Sequence, residues 1–317
     1  MNDNRWSRRS VLRTIPGMAL GAAAMARGSD PQSVRWSSGT GRPKIMVPPD
    51  ATDCHFHVYD ARFPADPKAV LRPGDALIAD YQLLQKRLGT TRCVIVQPST
   101  YGVDNRLILE ALGSFGPATA RGVAVVNTGV QDAALKQMHA SGIRGIRFNL
   151  VQVGATTLDM IEPLSWRVAP LGWHIQIQAT ADQIVAANSI WLRVSCPIVY
   201  DHLGHVPEPA GISHPVFGII CRLMQKRKAW VKLSGFYMDT RIGPPTYADR
   251  VAVARAYIKE APERLVWGSD WPHPTEKADA KPDDALLLDL LADCAPEDAT
   301  RNRILGSNAS QLYGFED

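Results

Sequence analysis

The stretch TDCHFHVYD, Thr52 to Asp60, has the composition of a first buried strand and carries two histidines one residue apart. Side chains alternate between the two faces of a strand, so Asp53, His55 and His57 are expected on the same face. Two imidazoles and a carboxylate are costly to bury in an apolar core. This face is therefore expected to border a polar cavity.

Seven further apolar segments follow along the chain, and helix-prone stretches lie between them. The eight strand candidates are TDCHFHV, RCVIVQP, RGVAVVN, IRGIRFNL, HIQIQAT, PIVYDHLG, WVKLSG and RLVWGSD. Strands that alternate with helices predict parallel βαβ units. A count of eight favours a closed (β/α)8 TIM barrel over an open sheet. The chain is therefore predicted to form one α/β barrel domain with an extra C-terminal helix.

The N-terminus predicts an exported protein. Arg8 and Arg9 form a twin-arginine pair, and a short apolar run with an A-x-A cleavage site follows. These features together are typical of a twin-arginine signal peptide. We therefore expect a signal peptide at 1–26, a flexible linker rich in Ser, Gly, Arg and Pro at 27–45, the barrel at 46–317, and a periplasmic location.

Composition limits the partners of the mature chain. The 317 residues are 45% hydrophobic and 21% charged, which is typical of a soluble globular protein. Removing residues 1–26 takes away four arginines and one aspartate, which leaves 31 basic and 30 acidic residues. A near-neutral chain is not expected to bind nucleic acid. No later apolar run is long enough to span a membrane, and a homo-oligomer remains open.

In a (β/α)8 barrel the active site lies at the carboxyl ends of the strands, so functional side chains are expected late in each strand. Eight polar residues meet this expectation: His55, His57, Arg147, Gln176, Gln178, Asp201, His202 and Asp270. His174 opens its strand and His139 lies in a helical segment, so neither is expected at the site.

Three histidines and an aspartate from strands one, six and eight can meet above such a barrel, and two kinds of chemistry fit them. A divalent metal bound by the set His55, His57, His202 and Asp270 lowers the pKa of a bound water. Alternatively, the imidazoles and Arg147 polarise a carbonyl group while Asp270 takes a proton from water. Both routes hydrolyse an activated carbonyl. Both require the imidazoles of strand one within about 10 Å of the Asp270 carboxylate.

Other side chains at this end are candidates for substrate contact. His205 and His273 lie in the loops after strands six and eight, where a surface position and a substrate contact both remain open. Tyr237 and Met238 in SGFYMDT are expected either to line the pocket or to pack in the core. The candidate substrate-binding residues are Arg147, Gln176, Gln178, Tyr237, Met238, His205 and His273.

Taken together, these motifs resemble the amidohydrolase superfamily, and more narrowly its branch containing 2-pyrone-4,6-dicarboxylate lactonase and related lactonases. The resemblance covers roughly residues 46–315. The matching segments, in chain order, are DCHFHVYDARFP, VIVQPSTYGVDNR, GIRGIRFNL, LGWHIQIQ, IVYDHLG and VWGSDWPHP.

The resemblance implies a distorted (β/α)8 barrel that hydrolyses a lactone or similar cyclic ester. By this likeness Asp270 activates water, while His55, His57, His202 and Arg147 bind or polarise the scissile carbonyl. The dicarboxylate lactonase works without a metal, whereas some relatives carry zinc. Strand four ends RFNL, with no lysine to bridge two metals. The sequence therefore implies either no required cofactor or one divalent metal such as zinc.

The sequence also departs from the dicarboxylate lactonase pattern. Val153 and Met238 stand where the pattern suggests further arginines, and Gln178 replaces a tyrosine. Each lost charge-assisted hydrogen bond to a dianionic ligand is worth about 1.5–3 kcal/mol. We therefore predict a small-molecule substrate that is less acidic than the pyrone dicarboxylate.

Two other functions remain open at this point. One is a zinc-dependent decarboxylase of an aromatic or muconate-type acid, since such enzymes share the superfamily. The other is a non-catalytic binding protein on the same barrel.

Overall fold

The structure is a computed structural model that describes residues 33–152 and 154–316. Eight parallel strands form one sheet, in which each strand pairs with the next along the chain. They are β1 (Thr52–Phe56), β2 (Arg92–Val96), β3 (Ala120–Ala124), β4 (Ile143–Asn149), β5 (His174–Gln178), β6 (Ile198–Tyr200), β7 (Ala229–Leu233) and β8 (Leu265–Trp267). Each overlaps one of the eight predicted segments, which confirms the (β/α)8 barrel.

Backbone hydrogen bonds between β1 and the residues after β8 join the two ends of the sheet. The amide of Asp270 donates to the carbonyl oxygen of His55 at 2.7 Å, and the amide of His57 donates to that of Trp271 at 2.8 Å. Strands β6 and β8 have only three residues each, and the pairing of β1 with β2 is irregular. The barrel is therefore distorted. The junction between β1 and the residues after β8 lies at the predicted catalytic residues.

Helices follow the strands and cover the outside of the barrel. They are α1 (Ile78–Leu88), α2 (Arg106–Phe115), α3 (Asp132–Ala140), α4 (Ile161–Val168), α5 (Ala181–Ala186), α6 (Asn188–Arg193), α7 (Pro215–Gln225), α8 (Ala248–Glu260), α9 (Asp284–Cys294), α10 (Asp298–Asn302) and α11 (Asn308–Tyr313). A π-helical turn, Arg303–Ser307, joins the last two. The extra C-terminal helix is confirmed, and it forms in more pieces than expected.

Helix α2 shows how the sequence pattern produces this packing. Its buried residues Leu107, Ile108, Ala111 and Leu112 recur at helical spacing and face the barrel. The helix ends before Gly116, whose φ of 83° lies in the left-handed region that glycine adopts without strain. The chain can then turn back into β3.

Apolar side chains close the amino-terminal end of the barrel. Alternate residues of several strands, such as Val94 and Val96, form one buried cluster with residues of α11. Tyr313 of α11 lies below Lys232, whose Nζ is 6.0 Å from the centre of the tyrosine ring. Since this end is filled, a ligand can enter the barrel only from the opposite end, where the polar residues lie.

The segment 33–45 packs against the barrel, which differs from the flexible linker predicted there. Val34 is buried, and the indole of Trp36 donates to the carbonyl oxygen of Asp75 at 2.8 Å. The carbonyl oxygen of Arg35 accepts a hydrogen bond of 2.8 Å from the indole of Trp271. A few large side chains thus order a segment whose overall composition suggested a linker.

The predicted signal peptide at 1–26, residues 27–32 and Val153 lie outside the described residues. Within the part of the chain that is described, no helix combines the length and the apolar character needed to cross a membrane.

Candidate active site

Three imidazoles meet one carboxylate at the carboxyl end of the barrel. The Nε2 atoms of His55, His57 and His202 lie 3.4, 3.5 and 3.9 Å from Oδ1 of Asp270. The Nε2 atoms of His55 and His57 lie 3.3 Å apart, and all four side chains are buried. These distances are far below the limit of about 10 Å that hydrolysis at one carbonyl requires. The four predicted catalytic residues therefore share one site.

The backbone at this site adopts conformations that most residues avoid. Asp270 and His202 have φ angles of 62° and 48°, in the left-handed region that non-glycine residues rarely occupy. Such strain, about 1–3 kcal/mol per residue, is concentrated at functional sites. Gly268 allows β8 to approach β1 closely, because a Cβ at this position would lie 2.6 Å from Cβ of His55. The chain can then turn the Asp270 carboxylate towards the imidazoles.

Hydrogen bonds on the far sides of two rings orient them. Nδ1 of His57 lies 2.7 Å from the carbonyl oxygen of Val96. This nitrogen must therefore carry a proton, so an imidazole with a single proton would present a lone pair at Nε2. Nδ1 of His202 lies 2.9 Å from the hydroxyl oxygen of Ser234, which fixes the plane of the ring.

A layer of charged side chains lies beneath His55 inside the barrel. Nδ1 of His55 is 3.3 Å from Nζ of Lys232 and 3.3 Å from Oδ1 of Asp201. Oδ2 of Asp201 accepts hydrogen bonds of 3.1 Å from Nε of Arg147 and Nε2 of Gln176. Lys232 donates to Oε1 of Gln176 at 2.8 Å. Two cations and a carboxylate are thus buried together, each with polar partners.

Burial and neighbouring charges shift pKa values in this site. Burial lowers the pKa of His202 to about 4, and burial together with Lys232 holds the pKa of His55 well below its ordinary value. Burial alone would raise the pKa of Asp270, but the facing imidazoles, His202 first among them, hold it well below its ordinary value. Burial lowers the pKa of Lys232 to about 8. At neutral pH the two histidines are neutral, Asp270 is ionised and Lys232 is protonated.

Tyr237 holds one oxygen of Asp270. Its hydroxyl donates to Oδ2 at 2.5 Å. The other oxygen, Oδ1, is buried and has no hydrogen-bond donor among the described residues. Oδ1 faces the imidazoles and is therefore the oxygen that can accept a proton from a bound water.

A pocket with about 390 Å³ of empty volume opens above these residues. Of the residues that the structure describes, Arg147 is the only arginine or lysine in its lining. Neutral polar side chains of the lining include those of Tyr59, Ser99, Asn149, Gln152, Gln178 and Thr275.

Five of the seven predicted substrate-binding residues fall into two groups. Arg147, Gln178 and Met238 line the pocket. Gln176 lies in the charged layer below it, bonded to Asp201, and Tyr237 is bonded to Asp270. These two residues are placed to support the side chains that face a ligand.

The two loop histidines each pair with a carboxylate. Nδ1 of His205 lies 2.7 Å from Oδ2 of Asp239, and Nε2 of His273 lies 3.1 Å from Oδ2 of Asp284. Neither histidine is in the lining of the pocket described above. Both contacts join the loops after β6 and β8 to neighbouring segments.

Two features of the site were not foreseen. Asp53 was expected beside the imidazoles, but it instead accepts hydrogen bonds of 2.6 and 3.1 Å from the hydroxyls of Ser269 and Tyr81. The register shift between Asp53 and Phe56 breaks the alternation on which that expectation rested. The sequence analysis did not include Lys232 in the site. The one feature that could have indicated it is a lone cation within the apolar segment WVKLSG.

Part of the donor set fits a single divalent metal. Ligand atoms of His55, His202 and Asp270 lie within 4.8 Å of one another, and imidazole with carboxylate is a donor set that zinc accepts. The unpartnered Oδ1 of Asp270 is available to such an ion. A metal bound there would lower the pKa of a coordinated water.

Comparison with known proteins identifies the family. A family model described as amidohydrolase matches residues 52–315, which is most of the chain. The chain belongs to the amidohydrolase family. This confirms the resemblance expected from the sequence motifs.

Two curated relatives of this amidohydrolase are named as hydrolases. A 2-pyrone-4,6-dicarboxylate hydrolase of Comamonas testosteroni is 34% identical, over 89% of this chain and 96% of the relative. A 4-sulfomuconolactone hydrolase of Rhizobium radiobacter is 34% identical, over 85% of this chain and 92% of the relative. Both names agree with the predicted hydrolase.

Solved structures share the same barrel. A probable 2-pyrone-4,6-dicarboxylic acid hydrolase from Acinetobacter baumannii, solved with citric acid, is 26% identical with a TM-score of 0.73, over 84% of this amidohydrolase and 100% of that chain. An amidohydrolase from Burkholderia multivorans, solved with zinc, is 18% identical with a TM-score of 0.63, over 84% of this chain and 99% of that one. At 18% identity the second likeness extends to the fold alone.

Proposed function

We propose that this amidohydrolase hydrolyses a lactone or similar cyclic ester. One observation carries the proposal: three imidazole Nε2 atoms surround the unpartnered Oδ1 of Asp270 at one end of a small polar pocket. Such an arrangement can activate a water and polarise a carbonyl in the same place. The names of the two relatives at 34% identity support a lactone or related cyclic substrate.

In this proposal Asp270 is the general base. It accepts a proton on Oδ1 as the water oxygen attacks the carbonyl carbon. Negative charge then develops on the carbonyl oxygen, where His55, His202 and Arg147 stabilise it. His57 presents a lone pair at Nε2 and orients the attacking water. The ring C–O bond then breaks, the protonated Asp270 gives its proton to the ring oxygen, and the product is an open-chain hydroxy acid.

We further propose a substrate with one anionic group. Arg147 is the one cation in the described lining, and its Nε is already bonded to Asp201, so its terminal nitrogens remain for a ligand. Met238 lines the pocket at a position where the dicarboxylate lactonase pattern suggests an arginine. One cation with neutral polar neighbours suits a monoanion better than a dianion.

The chemistry proposed here does not require a metal, although the site has the ligands to hold one. Neutral imidazoles and a guanidinium supply the polarisation of the carbonyl, and an ionised carboxylate supplies the base.

The test is a panel of lactones with no, one or two anionic substituents, incubated with chelator-treated protein, with and without added zinc. We expect ring opening, followed by liquid chromatography, to be fastest for a monoanionic lactone and independent of zinc. Asp270→Asn should reduce kcat/KM about 10³-fold. Asp182→Asn, at an exposed side chain, is the matched control and should have no effect.

A chain that opens no lactone of the panel would contradict the proposal, and so would full activity of Asp270→Asn. The names of the relatives do not favour the alternative of a zinc-dependent decarboxylase. Release of carbon dioxide from an aromatic or muconate-type acid would restore that alternative. Ligand binding without turnover would point to a non-catalytic binding protein.

We also propose that the chain is exported by the twin-arginine route. The Arg8–Arg9 pair, the apolar run and the A-x-A motif support this proposal. A reporter fused after residue 45 should reach the periplasm, and Arg8→Lys together with Arg9→Lys should keep it in the cytoplasm. Cytoplasmic retention of the unaltered fusion would contradict it.

A further inference from the structure

His55 touches two groups of opposite charge through a single ring nitrogen. Nζ of Lys232 and Oδ1 of Asp201 each lie 3.3 Å from Nδ1. A lysine ammonium donates to a lone pair on Nδ1, which places the ring proton on Nε2. A carboxylate accepts a proton from Nδ1, which leaves the lone pair on Nε2. Since Nε2 faces Asp270, the two tautomers give the site different chemistry.

The surroundings of Lys232 favour the first tautomer. Two of its three N–H groups are taken by the carbonyl oxygen of Cys54 and Oε1 of Gln176, both at 2.8 Å. Oδ1 of Asp201 is 3.9 Å away, beyond hydrogen-bond distance. Nδ1 of His55 is therefore the remaining acceptor for the third N–H among the described residues. Lys232 is fully buried, where a donor without a partner is costly.

The other side of the His55 ring agrees with this assignment. Nε2 of His55 lies 3.3 Å from Nε2 of His57. His57 carries its proton on Nδ1, towards the carbonyl oxygen of Val96, so its Nε2 presents a lone pair. Two facing lone pairs repel each other, whereas an Nε2–H on His55 makes a hydrogen bond to His57.

Asp201 competes for the same proton through Oδ1, which is buried and has no hydrogen-bond partner among the described residues. Its Oδ2 already accepts from Nε of Arg147 and Nε2 of Gln176. These donors satisfy much of the charge of the carboxylate without any proton from the imidazole. Lys232 rather than Asp201 therefore determines which nitrogen of His55 carries the proton.

We infer that Lys232 is a positioning residue that keeps His55 in the Nε2–H tautomer. In this form His55 has one Nε2–H, and a bound substrate would accept it on the scissile carbonyl oxygen in place of His57. This catalytic role rests on the proposed function. The same proton blocks Nε2 as a metal ligand, because a ligating imidazole nitrogen must be unprotonated. The nearby ammonium also repels a second cation. Lys232 thus favours hydrogen-bond catalysis in a donor set that also fits a metal.

Two substitutions shift the tautomer in opposite directions. Lys232→Met keeps a long side chain, removes the cation and leaves Asp201 as the partner of Nδ1. Asp201→Asn removes the competing charge and leaves Lys232 in place. Lys259→Met, at an exposed position on α8, is the matched control. Each full-length protein is stripped with a chelator and dialysed against zinc, and the bound metal is counted by elemental analysis.

We expect Lys232→Met to bind zinc at least about 10-fold more tightly than the wild type. Asp201→Asn and Lys259→Met should show no gain. Unchanged zinc affinity in a folded Lys232→Met protein would overturn the inference.

Nitrogen-15 NMR of histidine-labelled wild type tests the tautomer itself and does not depend on any variant folding. His55 should show a protonated Nε2 and an unprotonated Nδ1, and the reverse result would overturn the inference. Neither measurement uses a substrate. A failure of lactone hydrolysis would therefore be distinguishable from a failure of this assignment.

Discussion

Replacing Tyr237 by phenylalanine removes one hydroxyl and leaves the ring in place. That hydroxyl donates to Oδ2 of Asp270 at 2.5 Å. A hydrogen bond to a charged group contributes about 1.5–3 kcal/mol. Because this bond stabilises the ionised carboxylate, its loss should raise the pKa of Asp270. At 1.36 kcal/mol per pKa unit, the expected rise is about 1–2 units.

The assay is the pH dependence of kcat/KM for a lactone that the enzyme opens. A general base is active when ionised, so activity is lost as the pH falls through the pKa of Asp270. This acid limb should move up by about 1–2 pH units in Tyr237→Phe.

Tyr200→Phe is the matched control, since the buried hydroxyl of Tyr200 has no hydrogen-bond partner among the residues that the structure describes. It should leave the limb unchanged. An acid limb that stays in place in Tyr237→Phe would refute the assignment of Asp270 as the base that Tyr237 holds.

Three further predictions concern the pocket, the buried histidines and the close approach of Gly268 to β1. Arg147→Met should raise KM about 10–100-fold for a monoanionic lactone and far less for a neutral one, as steady-state kinetics will show. Burial lowers the pKa of His202 to about 4 and that of His174 to about 3. Unfolding raises both pKa values towards 6.5, so the unfolded state binds more protons than the folded state below that pH. The Tm should therefore fall as the pH drops from about 6.5 to 4. A Tm that does not change with pH in calorimetry would contradict this prediction. Gly268→Ala would place a Cβ 2.6 Å from Cβ of His55 on β1. It should lower the free energy of unfolding in urea by about 1–3 kcal/mol. In the control Gly113→Ala the new Cβ meets nothing within 4 Å, so the protein should not be destabilised.

The barrel and the position of its site could be predicted because both follow from local pattern. Each strand is a short apolar run, and parallel pairing brings all carboxyl ends to one edge. Polar residues late in β1, β4, β6 and β8 therefore had to converge. This explains why His55, His57, His202 and Asp270 were found together before any distance was known.

The remaining features depend on contacts between distant segments, which a single sequence does not show. Lys232 on β7 meets His55 on β1 only because the barrel closes. Asp53 turns away from the imidazoles because of an irregularity in strand pairing. No residue type in the segment indicates that irregularity. His205 and His273 lie in loops, where side-chain direction follows from backbone φ angles of 48° and 53° rather than from spacing.

We propose above that Asp270 and the imidazoles open a cyclic ester by adding water to its carbonyl carbon, with no metal required. The most direct measurement is ring opening by chelator-treated protein in ¹⁸O-labelled water, followed by mass spectrometry of the product. We expect an undiminished rate and one ¹⁸O atom in the new carboxylate. Label in the new hydroxyl group, or turnover that returns only when zinc is added, would contradict it.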